Sequence, residues 1–302
     1  MSEENKEGQP RSARKKRWGD RHDAWRVRDL DPIHVVMPYL MPKRCDAEVF
    51  INEKVDVTNL LEYVREKNIQ NPENKMTLFH VVVAAMAKTI TMRPFLNRFI
   101  AGRRIYERHH VSMSFIVKRQ FQDHAEESIM TLIPKSQDNL TTISKAIVGD
   151  VHTVRKKGSN DMDDVIGSVA KLPRPLLKLF LLILNILEYY GKNPRIISDG
   201  DGNHTTVLLS NLGSIKCGAP YHHLNNYGTN SIMGTLGVVH KEPVVDSAGN
   251  LVIRDMLELG LTLDERIADG FYFAKSVRLL KHLLSNPELL ELPLEEKIDY
   301  EC

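Results

Sequence analysis

Apolar residues recur along this chain with two different spacings, which predict strands and helices respectively. Residues 47–57 (A-E-V-F-I-N-E-K-V-D-V) place valine and isoleucine on one face and polar side chains on the other, which is typical of a half-buried strand. The same reasoning predicts strands at 111–118, 129–133, 205–212, 231–239, 250–254 and 256–263. Residues 246–250 (D-S-A-G-N) predict a turn between two of these strands.

Helices are predicted where the apolar spacing lengthens to three or four residues. They cover 58 to about 67, 77 to the residues before Pro94, 140–156, and about 270–284. The helix that Thr77 opens is apolar nearly all round, so we expect it to be buried. Because both element types are plentiful and several strands are joined by hairpin-length turns, the pattern favours a two-layer α/β sandwich. In that architecture helices pack on a mixed β-sheet.

One segment is unusually apolar: residues 175–190 read P-L-L-K-L-F-L-L-I-L-N-I-L-E-Y-Y. At about 1.5 Å per residue it is too short to cross a hydrocarbon core of about 30 Å. The leading interpretation is a helix buried in the core or in a subunit interface. A membrane-apposed or acyl-chain-binding helix is the alternative. Pro173 and Pro175 indicate an insertion with its own defined start, which we place at about 160–195.

Composition and charge narrow the class of protein. The chain has 302 residues, of which 42% are hydrophobic and 26% charged, and its formal net charge is +2. These values are near the average for soluble proteins, and the small charge argues against nucleic acid as a partner. Three distant cysteines give no disulfide framework and predict a reducing, cytoplasmic location. His, Cys and carboxylates do not fall at metal-ligand spacing, so we expect no metal.

The two ends of the chain differ from the part between them. Residues 1–31 contain the basic run R-S-A-R-K-K-R and almost no aliphatic residue, which predicts a disordered basic tail. A basic arm that touches an acidic membrane surface or nucleic acid, with Trp18 and Trp25 as interfacial anchors, is the alternative but is not favoured. Residues 293–302 form an acidic C-terminal tail. One domain, residues 32–292, lies between the tails and carries the apolar insertion.

Three motifs carry the chemistry. Residues 264–270 read D-E-R-I-A-D-G at a predicted strand–helix junction, where Asp269 can cap the helix and Gly270 permits close approach of another backbone. Residues 205–213 read T-T-V-L-L-S-N-L-G, and T-L-F-H-V-V-V-A-A-M-A from Thr77 is followed by P-F-L-N at 94–97. Over roughly residues 42–292 the sequence resembles the catalytic domain of the 2-oxoacid dehydrogenase acyltransferases, or dihydrolipoamide acyltransferases, and their relative chloramphenicol acetyltransferase.

The resemblance implies a chloramphenicol acetyltransferase-like fold in a homotrimer, or a larger assembly, with active sites between subunits. It implies transfer of an acyl group between coenzyme A, or another thioester, and a small-molecule thiol or hydroxyl acceptor. Ser210 would stabilise the oxyanion, and Asp269 would serve a structural role paired with Arg44. About forty residues precede the matching region and show no lipoyl-type lysine turn, so we expect a free-standing catalytic domain with no covalent lipoyl group.

The chain departs from the family motif at the decisive position, where Glu265 stands in place of the catalytic histidine. A first interpretation makes Glu265 the general base, its pKa raised by burial to approach that of a thiol. A second assigns the base to His222 or His223, in the loop that follows the Ser210 strand. A third makes the protein a catalytically impaired trimeric scaffold, in which Glu265 only forms a salt bridge.

Overall fold

The computed structural model describes residues 15–118, 127–157 and 167–300. The strands are β1 Ala24–Arg26, β2 Glu48–Asp56, β3 Arg98–Ala101, β4 Arg104–Arg108, β5 Met113–Lys118, β6 Glu127–Leu132, β7 Val207–Asn211, β8 Ile232–Leu236, β9 His240–Val245 and β10 Leu251–Asp264. The α-helices are α1 Pro32–Leu40, α2 Thr58–Gln70, α3 Leu78–Met92, α4 Leu140–Lys157, α5 Arg174–Tyr189, α6 Arg195–Ser198 and α7 Gly270–Ser285. Short 3₁₀ helices cover Arg44–Ala47, Pro94–Asn97, Gly202–His204, Leu212–Ile215 and Pro287–Glu291.

A mixed seven-stranded sheet organises the molecule. Its strand order is β2-β10-β8-β7-β5-β6, and β9 pairs with β10 away from this path. Strand β7 runs parallel to β5 and β8, whereas the other pairs are antiparallel. A second, three-stranded sheet has the order β1-β4-β3. The predicted mixed sheet with helices packed on it is confirmed.

Helix α3 lies at the centre of the helical layer, in contact with α4, α7 and α2. Thr77 caps it by accepting a hydrogen bond from the His80 amide (3.4 Å), and the helix ends two residues before Pro94. Val81 to Ala85 are all at most 1% exposed, so the predicted burial of this helix is confirmed. The main core is the set of apolar side chains between this layer and the sheet.

The predicted strands 250–254 and 256–263 are one continuous strand, β10. Asp255 does not interrupt it because its backbone is engaged on the β2 side. The Asp255 amide donates to Thr58 Oγ1 (2.9 Å), and its carbonyl accepts from the Val57 amide (2.9 Å). The predicted turn at 246–250 is confirmed, but it joins β10 to β9, which the sequence analysis missed. Strand β9 alternates half-buried and exposed residues over H-K-E-P-V-V and covers little of the core.

Both predicted tails are too long. Ala24–Arg26 pairs with β4, and Arg21 is 1% exposed because its guanidinium binds the carboxylates of Asp23 and Glu188. At the other end Leu294 is 3% exposed, and its amide donates to the Asp138 carbonyl (2.9 Å). Residues 1–14, 119–126, 158–166 and 301–302, and with them the first part of the insertion predicted at about 160–195, lie outside the described residues.

The apolar segment of the insertion forms α5, but the prediction that it is buried in the core is wrong. Among its residues only Leu184 is buried. The space under the main sheet is already filled by α3, α4 and α7, so α5 lies outside that layer. Its C-terminal end is attached to the small sheet, where a Cβ built on Gly102 would lie 1.9 Å from the Tyr189 carbonyl oxygen. Among the described residues, no helix is both long and apolar enough to cross a membrane.

Candidate active site

Glu265 opens into a cavity at the end of β10. The Glu265 amide donates to the Ala47 carbonyl (2.9 Å), and its half-buried side chain lines a cavity of about 650 Å³ between α1, β2 and α7. The same cavity is lined by Ile33, His34 and Met37 from α1, by Glu53 from β2, and by Asp269 and Lys281. Its wall therefore combines apolar side chains with several ionisable groups, among them the His34 imidazole and the Glu265 carboxylate.

A buried ion cluster holds the backbone just before Glu265. Arg266 binds Asp264 through two hydrogen bonds, from Nε to Oδ1 (2.7 Å) and from Nη2 to Oδ2 (2.6 Å), and Asp264 is fully buried. The Nε atom of Arg44 lies 3.9 Å from Asp264 Oδ2, and Arg44 Nη1 donates to the Asn225 carbonyl (2.7 Å). Burial lowers the pKa of Arg44, and the Asp264 charge opposes this shift. Both arginines therefore lie against Asp264, the residue just before Glu265, whose side chain lines the cavity.

Asp269 caps α7, as predicted, by accepting a hydrogen bond from the Tyr272 amide (2.7 Å). The ion pair between Asp269 and Arg44 that the family resemblance implies is absent from the described chain, because the Arg44 guanidinium lies beside Asp264 instead. Gly270 is exposed, and within the described chain nothing lies within 4 Å of a Cβ built on it. The close backbone approach expected at Gly270 is therefore not found within one chain.

Ser210 lies near the end of β7, where it is half-buried and pairs with Thr235 of β8. Its hydroxyl makes no hydrogen bond to any part of the chain that the structure describes. Thr235 pairs in turn with Gly260 of β10, five residues before Glu265. At a rise of about 3.4 Å per residue and about 4.8 Å between strands, Ser210 and Glu265 are roughly 17 Å apart along the strands and about 10 Å across them. One chain does not bring the two residues together.

The loop with the two candidate histidines runs over the sheet between these positions. Thr235 Oγ1 donates to the Pro220 carbonyl (2.6 Å) at one end, and the Leu224 amide donates to Glu48 Oε1 (2.5 Å) at the other. His222 and His223 are exposed, with ring centroids 4.8 Å apart. Neither lines the Glu265 cavity as the described residues define it.

The histidine that does line the Glu265 cavity is His34, which the sequence analysis missed. It lies on α1, a helix that was not predicted because its start is marked only by Asp31-Pro32. Proline is favoured at the first position of a helix, and the apolar run I-H-V-V-M-P-Y-L follows directly. Recognising that signal would have placed an imidazole on a helix that packs near the D-E-R-I-A-D-G junction.

The sequence of the C-terminal third matches a known family. Residues 194–292 match the model of the 2-oxoacid dehydrogenases acyltransferase (catalytic domain). Over 238 residues the chain is 24% identical to the lipoamide acyltransferase component of the branched-chain alpha-keto acid dehydrogenase complex of Bacillus subtilis (strain 168). The match covers 77% of this chain, which spans 45% of that protein's length.

Solved structures extend the match to the fold. A probable dihydrolipoamide acetyltransferase from Listeria monocytogenes superposes with a TM-score of 0.57 at 17% identity, over 87% of this chain and 95% of the other. The cubic core of a pyruvate dehydrogenase multienzyme complex gives a TM-score of 0.58 at 16% identity, over 88% and 94% of the two chains. The chain therefore has the chloramphenicol acetyltransferase-like fold of these acyltransferase catalytic domains, and residues 194–292 match their family model.

Proposed function

We propose that the protein transfers an acyl group between coenzyme A and a thiol acceptor. The observation that carries this proposal is the cavity at the D-E-R-I-A-D-G junction, into which Glu265 and His34 both open. The family match over residues 194–292 includes both this junction and Ser210. The name of the Bacillus relative, a lipoamide acyltransferase, suggests dihydrolipoamide as the first acceptor to test.

We propose that the cavity, rather than the histidine loop, supplies the proton acceptor. A free carboxylate titrates near 4.3 and a free thiol near 8.5, which leaves roughly 5–6 kcal/mol of unfavourable proton transfer. An imidazole in the same cavity narrows that gap, and a carboxylate in that cavity favours the imidazolium that forms. His34 is therefore assigned as the base and Glu265 as its stabilising partner. Glu265 alone, or His222 or His223, remains the alternative base.

Ser210 is proposed as the donor to the tetrahedral oxyanion. Its hydroxyl is half-buried and makes no hydrogen bond within the described chain, so it can donate to a substrate oxygen. Because Ser210 and Glu265 are far apart on one sheet, a complete site needs Ser210 from one chain and the Glu265 cavity from another. We therefore propose a homotrimer, or a larger assembly built from it, with active sites between subunits.

The scaffold alternative predicts that Glu265 is occupied by an ion pair. The nearest arginine in sequence, Arg266, is instead bound through two hydrogen bonds to Asp264. No ion pair joins Glu265 to a residue that the structure describes, and the cavity beside it is open. Both observations favour a working site over a scaffold.

The activity test uses acyl-CoA donors of increasing chain length with dihydrolipoamide, and it follows CoA and acyl-CoA by chromatography. Thiol reagents would not report the reaction, because transfer to a thiol acceptor leaves the number of free thiols unchanged. We expect Ser210→Ala to lower kcat about 10²- to 10³-fold and His34→Gln or Glu265→Gln about 10²- to 10⁴-fold.

Matched controls are Ser214→Ala and Glu288→Gln, which change exposed residues away from the cavity. His223→Asn tests the loop alternative and is expected to leave kcat within about twofold. A wild-type protein that turns over no donor while keeping its oligomeric state would establish the scaffold alternative instead.

Mixing two inactive variants tests the site between subunits. In trimers assembled from equal amounts of Ser210→Ala and Glu265→Gln chains, about a quarter of the sites combine an intact Ser210 with an intact Glu265. We therefore expect mixed assemblies to recover about a quarter of the wild-type rate. Recovery of no activity after verified subunit exchange would place both residues in the same chain's site.

A further inference from the structure

The outward side of α5 is an exposed apolar face. Leu179, Leu182, Ile183 and Ile186 follow the i, i+3, i+4, i+7 spacing of one helix face, and each is at least 47% exposed. Leu176, Tyr189 and Tyr190 extend this face at its two ends and are 52%, 44% and 64% exposed. Single exposed leucines are ordinary on a soluble protein, but a continuous face of this kind marks an interaction surface.

The charges around this face have one sign. The exposed side of α5 carries Arg174 and Lys178, whereas its one carboxylate, Glu188, is turned inward. Glu188 Oε1 accepts from Arg21 Nη1 (2.6 Å), and Glu188 Oε2 lies 3.5 Å from His204 Nε2. The apolar face is therefore flanked by cations that are open to solvent.

The N-terminal segment carries further cations and is joined to the other end of α5. Through Arg21 it is joined to Glu188, so the residues just before Arg21 start beside the C-terminal part of α5. Those residues are Lys15, Lys16, Arg17 and Trp18; all four are exposed, and Trp18 is 89% exposed. The nearby Asp20 carboxylate is engaged by the Arg17 and Arg26 amides. A basic run with an exposed indole thus directly precedes the residues that are joined to α5 through Arg21.

We propose that α5 and the Lys15–Trp18 segment together bind the surface of an anionic lipid bilayer. An apolar helix face with basic flanks lies in the plane of the headgroup region, where its side chains leave water and its cations meet lipid phosphates or carboxylates. Trp18 and the two tyrosines are residue types that prefer this interface. This inference is independent of the proposed acyl transfer.

The charge pattern also argues against a two-fold pairing of this face with the same face of a second copy. In a two-fold contact the same patch meets itself, so Arg174 and Lys178 of the two copies would face each other. No exposed carboxylate of α5 is available to compensate them. An anionic bilayer supplies the complementary charge without that repulsion.

Vesicle sedimentation of the full chain tests the proposal. We expect binding to vesicles of phosphatidylcholine with 30 mol% phosphatidylserine, and at least tenfold weaker partitioning to pure phosphatidylcholine. The double variant Leu182→Ser/Ile186→Ser should lower partitioning to the anionic vesicles at least tenfold. Lys178→Glu should lower it several-fold, with the larger effect at low salt. Trp18 emission should shift to shorter wavelength on binding and the shift should be lost in Trp18→Phe.

Two matched controls test whether vesicle binding depends on this surface in particular, rather than on any exposed apolar or basic side chain. Ile69→Ser changes a 72% exposed isoleucine on α2, and Lys241→Glu changes an exposed lysine on β9; neither should alter binding. Circular dichroism checks that each variant is folded. The proposal is overturned if wild type fails to bind anionic vesicles at low salt. It is also overturned if Leu182→Ser/Ile186→Ser lowers the oligomeric state in sedimentation velocity while vesicle binding is unchanged.

Discussion

Helices α3 and α5 are both long and strongly apolar, yet one is buried on all sides and the other is largely exposed. Every polar side chain that α3 brings into the core has a partner. Lys88 Nζ donates to the Pro293 carbonyl (2.7 Å), and His80 Nδ1 lies 2.8 Å from Ser144 Oγ. The polar residues of α5 instead divide between an inward ion pair and outward cations. Apolar content alone therefore does not predict burial; the partners of the polar residues distinguish the two helices.

The largest expected difference between the two helices is in truncation of an apolar side chain. Ile90 of α3 is 1% exposed, and Ile90→Ala should lower the free energy of unfolding by about 2–5 kcal/mol because it leaves a cavity. Leu182 of α5 is 54% exposed, and Leu182→Ala should change the free energy of unfolding by less than about 0.5 kcal/mol. Urea unfolding measures both. Equal losses would mean that α5 is covered in solution.

The attachment of α5 to the small sheet can be tested at Gly102, where φ is +53° and an added Cβ would meet the Tyr189 carbonyl oxygen. Gly102→Ala should cost about 2–4 kcal/mol, from left-handed backbone strain together with displacement of the helix end. Gly249→Ala is the matched control, since its φ is +86° but no atom lies within 4 Å of the new Cβ. The control should cost about 1–2 kcal/mol. Equal costs would show that α5 moves away freely.

Acid should weaken the α3 core through His80. Burial lowers the pKa of this imidazole from 6.5 to about 4, so the folded state holds it neutral where the unfolded chain takes up a proton. The free energy of unfolding therefore falls as pH drops from about 6.5 toward 4. Between pH 7 and pH 5 we expect this loss to be about 2 kcal/mol. His80→Gln should remove that part of the pH dependence in urea unfolding. If the free energy of unfolding of His80→Gln depends on pH between 7 and 5 as strongly as that of wild type, His80 is not the group responsible.

The stability that comes from the attachment of α5 should change with pH in the opposite direction, so that it falls as pH rises. Burial lowers the pKa of His204, but its hydrogen bonds to Asp201 and Glu188 and their charges outweigh burial, so its pKa is raised. The contribution of charged His204 is complete below its usual pKa and is lost as pH rises through the raised value. Glu188→Gln should cost about 1.5 kcal/mol at pH 6 and flatten the alkaline loss of stability. If the Glu188→Gln variant loses as much unfolding free energy as wild type when pH rises, Glu188 does not contribute to this pH dependence.

The parts of the fold set by local patterns were predictable from sequence. Alternation over 47–57 predicted β2, and Thr77 and Pro94 predicted the ends of α3 closely. What was missed depends on contacts between distant residues. Strand β1 exists because it pairs with β4 and because Arg21 binds Glu188, and β10 continues through Asp255 because Val57 and Thr58 pair with it. Neither contact leaves a signal within its own segment.

The candidate site was predictable in its parts but not in its arrangement. Short motifs identified Ser210 and Glu265, because each belongs to a recognisable run of residues. They could not tell that Arg44 lies beside Asp264 rather than Asp269, since the bend of the backbone after β10 decides which carboxylate is buried. They also could not place His34 in the Glu265 cavity, which brings together positions more than two hundred residues apart.

The position of β10 late in the sequence has a consequence for how the chain folds during its synthesis. Among the described strands β2 pairs only with β10, and Asp56 meets Met256 about 200 residues later in the sequence. At about 5–20 residues per second, β2 waits roughly 10–40 s on the ribosome before its partner is synthesised. During that interval the face of β2 that carries Val55, and the edge that β10 will cover, are open to wrong pairing. We expect folding of the main sheet to be post-translational and slow, with a need for protection by chaperones until residue 264 has been added.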